Sequence, residues 1–119
     1  MSKSYTKTWE TYAASWKAET PAEKQRLFEQ SLSTDCRYTD PLTQTRGYSP
    51  LLDYMREFQR QIPGGHFITK RFIVHHDRSI AFWDMCDETG TVIGDGVSYG
   101  EYDATSKLTR VTGFFDTPG

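Results

Sequence analysis

Apolar and polar positions change rhythm near the middle of the chain. In the first half, Tyr5, Trp9, Tyr12, Ala13 and Trp16 recur at the spacing of one helix face. The stretch TPAE then supplies Thr20 as an N-cap, Pro21 for the first turn and Glu23 as the reciprocal capping residue. A second helix is predicted from about Pro21, with Leu27, Phe28 and Leu32 turned inward. CRYTD alternates and predicts a short strand ending at Asp40, followed by Pro41 and a polar loop to Gly47. YSPLLDYMREFQRQI repeats the helix-start grammar, with Ser49 as cap and Pro50 at the first position. Leu51, Tyr54, Met55, Phe58 and Ile62 form its apolar stripe, and PGG ends it.

The second half reads as strands. HFITKRFIVHH, IAFWDMC, TVIGDGVSYGEYD and LTRVTGFFD are rich in β-branched and aromatic residues and are separated by short turns. Such connections make sequential strands antiparallel neighbours. Gly94, Gly96 and Gly100 interrupt the third of them and mark bends or close backbone approach. The expected fold is therefore α+β: three N-terminal helices packed on a strongly curved, mostly antiparallel sheet, forming a cone-shaped cavity. A cavity of that kind is a natural small-molecule site.

In IAFWDMC, Ile80, Phe82, Asp84 and Cys86 share one strand face, and Ala81, Trp83, Met85 and Asp87 the other. Both faces are largely apolar, so one is expected to meet the cavity and the other a helix or a second subunit. Asp84, at the centre of such a strand, needs a partner or a function. The two readings are a salt bridge to Arg71 or Arg110, and a second carboxylate in the cavity beside Asp40. Asp40 itself has two readings. It is either a general base at the end of a strand, or a residue that caps its own loop before proline. Tyr12 and Trp16 lie four residues apart on one helix face and either line the cavity or fill the core.

The order of elements, the YTDP before a loop ending in Gly47, the helix that opens after it and the closing LTRVTGFFD resemble one superfamily. It is the nuclear transport factor 2-like, or cystatin-like cone, superfamily, and within it the SnoaL-like and ketosteroid-isomerase-like group. The resemblance covers nearly the whole chain, from about Trp9 to Asp116. It implies a cofactor-free isomerase or cyclase acting on an apolar carbonyl substrate. In ketosteroid isomerase an Asp moves a proton alpha to a carbonyl, while a Tyr and a protonated Asp hold the oxyanion. Carried over, the base falls on Asp40, the Tyr on Tyr12 and the second donor near Ser98, where a serine stands in place of the acid. Trp16, Phe58, Phe82, Asp84 and Phe115 are the expected substrate-binding residues. Cones of this group commonly pair through the outer sheet face, so a homodimer is expected. The alternative is a non-catalytic ligand-binding or dimeric accessory domain.

Length and composition narrow the picture further. The 119 residues fit a single domain, 1–119, and 14 % are aromatic, a generous supply for a small core. The net charge is -2 and no basic run exists, which argues against nucleic acid as a partner. No apolar run reaches the roughly 20 residues of a membrane span, and the N-terminus lacks the apolar centre of a secretory signal. Cytoplasmic placement is the resulting expectation. Cys36 and Cys86 are too few for a disulfide framework and are expected as free thiols. His75 and His76 are adjacent on a strand and point to opposite faces, so no metal site is expected of them, nor of His66. No phosphate loop or other cofactor motif is present.

Overall fold

The computed structural model describes residues 4–117. Its elements are α1 (Tyr5–Ser15), α2 (Pro21–Ser31), β1 (Leu32–Asp40), β2 (Thr43–Arg46), α3 (Tyr48–Gln61), β3 (His66–His75), β4 (Arg78–Cys86), β5 (Val92–Tyr102) and β6 (Leu108–Phe114). The strands form one open sheet in the order β2-β1-β6-β5-β4-β3. The hairpins β3–β4, β4–β5, β5–β6 and β1–β2 are antiparallel, and β1 runs parallel to β6. The fold is thus α+β with a mixed, mostly antiparallel sheet. No helix among the described residues is long and apolar enough to cross a membrane.

The α2 start matches its sequence grammar: Glu23 N–H donates to Thr20 Oγ1, and Pro21 opens the helix. Three boundaries differ from the sequence expectation. Residues 43–46 form β2 rather than a loop, because the chain folds back on β1 and pairs Thr39 with Gln44 and Asp40 with Thr43. Leu32 opens β1 instead of closing α2, and remains in the core because the strand starts directly at the helix end. Helix α3 begins at Tyr48, capped by Gly47 rather than by Ser49. Gly47 has φ 84°, a conformation that favours glycine, and its N–H donates to Cys36 O, closing the hairpin before the helix begins.

The core lies between the helices and the inner face of the sheet. Trp9, Tyr12 and Trp16 from α1 meet Phe28, Leu32, Leu51, Met55, Ala81, Leu108 and Val111 there. Both cysteines are buried free thiols, and burial pushes the Cys36 thiol up to about 12. Gly96 is the glycine the packing requires most. A Cβ there would lie 2.5 Å from the Trp83 ring and 2.6 Å from Phe114 O. Its missing side chain is the space in which the indole lies across the sheet.

Candidate functional site

A cavity of about 330 Å³ opens between α1, α3 and the inner sheet face. Trp16, at the end of α1, anchors its wall. Its ring packs against Tyr38, Tyr54, Phe58 and Phe67 at centroid distances of 5.3 to 6.0 Å. Trp83 and Phe115 close the sheet side. Polar bonds hold the helical side: Gln59 Nε2 donates to the carbonyls of Trp16 and Ala18, and Lys24 Nζ to those of Ser15 and Ala18.

Asp40 ends β1 with its side chain on the inner face, only 7 % exposed, and lines the cavity. Three donors converge on it. Tyr38 Oη donates to Oδ2 at 2.6 Å, Tyr54 Oη approaches Oδ2 at 2.8 Å and Oδ1 at 3.1 Å, and Leu42 N–H donates to Oδ1 at 2.8 Å. The loop-cap reading therefore holds for one oxygen, while the group as a whole also faces the cavity. No Lys, Arg or His forms an ion pair with it among the described residues.

Two further hydroxyls face the same space. Tyr12 Oη accepts from Trp16 Nε1 at 3.0 Å, and Ser98 Oγ accepts from Trp83 Nε1 at 3.0 Å. Neither donates to a partner among the hydrogen bonds of the described residues, so each keeps a proton for a ligand oxygen. Burial holds the Tyr12 proton far above the ordinary phenol range, with the Trp16 bond acting the other way. Tyr38 and Tyr54 are also raised, both by burial first, then Tyr38 by Tyr12 and by the Asp40 carboxylate, and Tyr54 by that carboxylate. All four are neutral donors near neutral pH. The inner wall at Gly113 joins two of the groups. A Cβ there would lie 3.5 Å from Ser98 Oγ and 3.6 Å from Asp40 Cβ.

Of the residues singled out from sequence, Asp40, Tyr12, Ser98, Trp16, Phe58 and Phe115 line the cavity together. Phe82 and Asp84 do not. β4 turns Ala81, Trp83 and Met85 inward, so Phe82, 37 % exposed, and Asp84 lie on the outer face. Asp84 pairs with Lys70 Nζ at 3.0 Å, and not with Arg71 or Arg110. A register shift in β3 between Thr69 and Arg71 accompanies that pairing. Sequence reasoning missed Tyr38 as a functional residue, although its place two residues before Asp40 puts both on one strand face. It missed Trp83 because β4 is apolar on both sides. The histidines stay apart from the site: His75 and His76 meet each other at 3.0 Å on an exposed turn, and His66 meets Gly64 O.

Solved structures share this architecture. A candidate isomerase of the SnoaL-like family from Agrobacterium tumefaciens superposes with TM-score 0.86 at 22 % identity, covering 95 % of this chain and 97 % of that one. TerC co-crystallised with polyporic acid gives 0.75 at 15 % identity over 94 % and 91 %. A candidate polyketide cyclase from Sinorhizobium meliloti gives 0.71 at 8 % identity over 90 % and 93 %. No family model matches the chain, and no curated protein matches it. At these identities the likeness is one of fold, and the chain has the nuclear transport factor 2-like, cystatin-like fold that the SnoaL-like proteins share.

Proposed function

We propose that the protein binds a small, largely apolar molecule in this cavity and catalyses proton transfer on it, as an isomerase or cyclase without a cofactor. The observation that carries the reading is the convergence of a buried carboxylate, Asp40, with two hydroxyls that still have a proton to give, Tyr12 and Ser98. A carboxylate can take a proton alpha to a carbonyl while the two hydroxyls hold the developing oxyanion. Each hydroxyl already accepts from an indole N–H, which polarises it as a donor. Tyr38 and Tyr54 fix the carboxylate's orientation. The neighbours described as a candidate isomerase and a candidate polyketide cyclase support a reaction of this class.

Asp40→Asn is the test. With a turned-over carbonyl substrate in hand, the substitution should lower kcat by about a hundredfold or more, the typical contribution of a general base. Turnover within a few-fold of the parent removes Asp40 as the base. One observation favours a second reading, a non-catalytic binding domain: Asp40 is occupied by three protein donors, which compete with a substrate proton for the same lone pairs. Under that reading ligand affinity survives and no substrate is turned over. We also propose a homodimer through the outer sheet face, where Phe82, Phe114, Ile68 and Ile73 are exposed.

A further inference from the structure

We propose that the cavity selects a ligand carrying a positively charged nitrogen on a small apolar framework: a protonated or quaternary amine. The inference rests on the cavity being the ligand site, and does not depend on Asp40 acting as a base.

Its first support is the charge of the lining. Asp40 lies inside and the exposed Asp116 stands on the wall, whereas Asp95, opposite Asp84 in the sheet, carries its side chain on the outer face. No Lys, Arg or His among the described residues lines the space. A buried charge is ordinarily paired, and Asp40 has hydrogen-bond donors but no counter-ion. A bound cation would supply the missing charge. An anion would meet the Asp40 carboxylate and no compensating group.

The second support is the surface around that carboxylate. Tyr38, Tyr54, Trp16, Phe58, Phe67 and Trp83 surround the space with aromatic rings. Rings present negative faces to a cation and hold it without a dedicated hydrogen bond. Cation–π attraction grows in a desolvated site, and Trp16 and Trp83 are both buried.

The third support is how the hydroxyls are used. Tyr38 and Tyr54 spend their protons on Asp40, leaving oxygen lone pairs free to accept an ammonium N–H. Tyr12 and Ser98 offer the opposite, a donor to an oxygen elsewhere on the same ligand. The site thus offers lone pairs to a cation and, beside them, donors to an acceptor atom of the same ligand.

Three probes of nearly one shape separate charge from size: phenyltrimethylammonium, tert-butylbenzene and benzenesulfonate. The chain has three tryptophans, Trp9, Trp16 and Trp83, and all line the cavity, so their indole N–H signals in a nitrogen-15 spectrum report binding directly. The cation should bind at least tenfold tighter than the neutral hydrocarbon, and benzenesulfonate should bind weakest. In Asp40→Asn the preference for the cation over tert-butylbenzene should shrink at least fivefold, while affinity for the hydrocarbon stays. Equal affinity of cation and hydrocarbon, or tighter binding of the sulfonate, overturns the charge preference and leaves the cavity reading standing. If no probe moves an indole signal, the cavity reading and the charge preference both fall. Should Asp40→Asn fail to fold, the comparison of the three probes on the parent protein decides the proposal alone.

Discussion

At the scale of single residues, the molecule turns on what surrounds two positions: the carboxylate of Asp40 and the absent Cβ of Gly96. Gly96→Ala would drive a methyl to within 2.5 Å of the Trp83 ring and 2.6 Å of a backbone carbonyl. The ring could tilt, but the carbonyl belongs to the paired strand β6 and cannot give easily. We expect a loss of about 1–3 kcal/mol in urea unfolding, the usual cost of overpacking. The indole signal of Trp83 should shift with it. An unchanged midpoint and an unchanged signal would show that the strand relaxes freely. The tyrosines predict a pH response. Burial raises Tyr12, Tyr38 and Tyr54 well above the ordinary range, and lifts Tyr102 to about 12. A phenol whose folded value lies above its unfolded one binds its proton more tightly in the native state. The associated stability is complete below the unfolded value of about 10 and is lost as pH rises through the folded values. Urea midpoints measured from pH 8 to 11.5 should therefore fall from about pH 10 upward. A flat profile would contradict the burial of these hydroxyls.

At the scale of elements, the end of α1 is held by polar side chains from two other helices. Lys24, fully buried in α2, donates to the carbonyls of Ser15 and Ala18, where α1 ends and the chain turns. A cation there also sits favourably at the negative end of α1's dipole. Gln59 of α3 donates to two carbonyls of the same turn. Trp16 belongs to this turn, so the cavity wall is positioned by these bonds as well as by its ring contacts. Lys24→Met keeps the side-chain length and leaves both carbonyls without the ammonium. It should cost about 2–4 kcal/mol in unfolding free energy, as expected for buried acceptors that lose a charged donor. It should also broaden the Trp16 indole signal. A cost below 0.5 kcal/mol would mean that water or Gln59 replaces the ammonium without loss.

At the scale of the whole molecule, the sheet separates two apolar surfaces. The inner one forms the core and cavity. The outer one leaves Phe82, Phe114, Ile68 and Ile73 exposed in a single chain. Register places Phe82 beside Val97 and Val97 beside Phe114, so these side chains form one row across β4, β5 and β6. Contiguous exposed apolar surface marks an interaction site more often than a free one. Phe82→Glu puts a charge in the middle of that row, where burial in an interface would leave it unpaired. Sedimentation analysis should find the parent dimeric and Phe82→Glu monomeric, with unchanged far-ultraviolet dichroism. A parent that sediments as a monomer at micromolar concentration removes the outer face as a self-association surface.

Local physics was sufficient for much of this protein. Helical spacing in Tyr5, Trp9, Tyr12 and Trp16, the TPAE cap and the alternation of the later strands are properties of a few consecutive residues, and each produced its element. The expectation that Asp40, Tyr12 and Ser98 face a common space came from resemblance to a fold, and the chain has that fold. What the sequence left open depended on contacts between distant residues. Period-2 alternation divides β4 into two faces but cannot say which is inside. That was decided by the space Gly96 leaves for Trp83, so Phe82 and Asp84 went outside. β2 lacks an apolar signal and exists because β1 offers it a partner. The parallel pairing of β1 with β6 joins segments about seventy residues apart, and no local pattern encodes it. The carboxylate of Asp40 is where the two levels meet. Its loop bond to Leu42 follows from the neighbouring chain, whereas its bond to Tyr54 required α3 to fold across the end of β1.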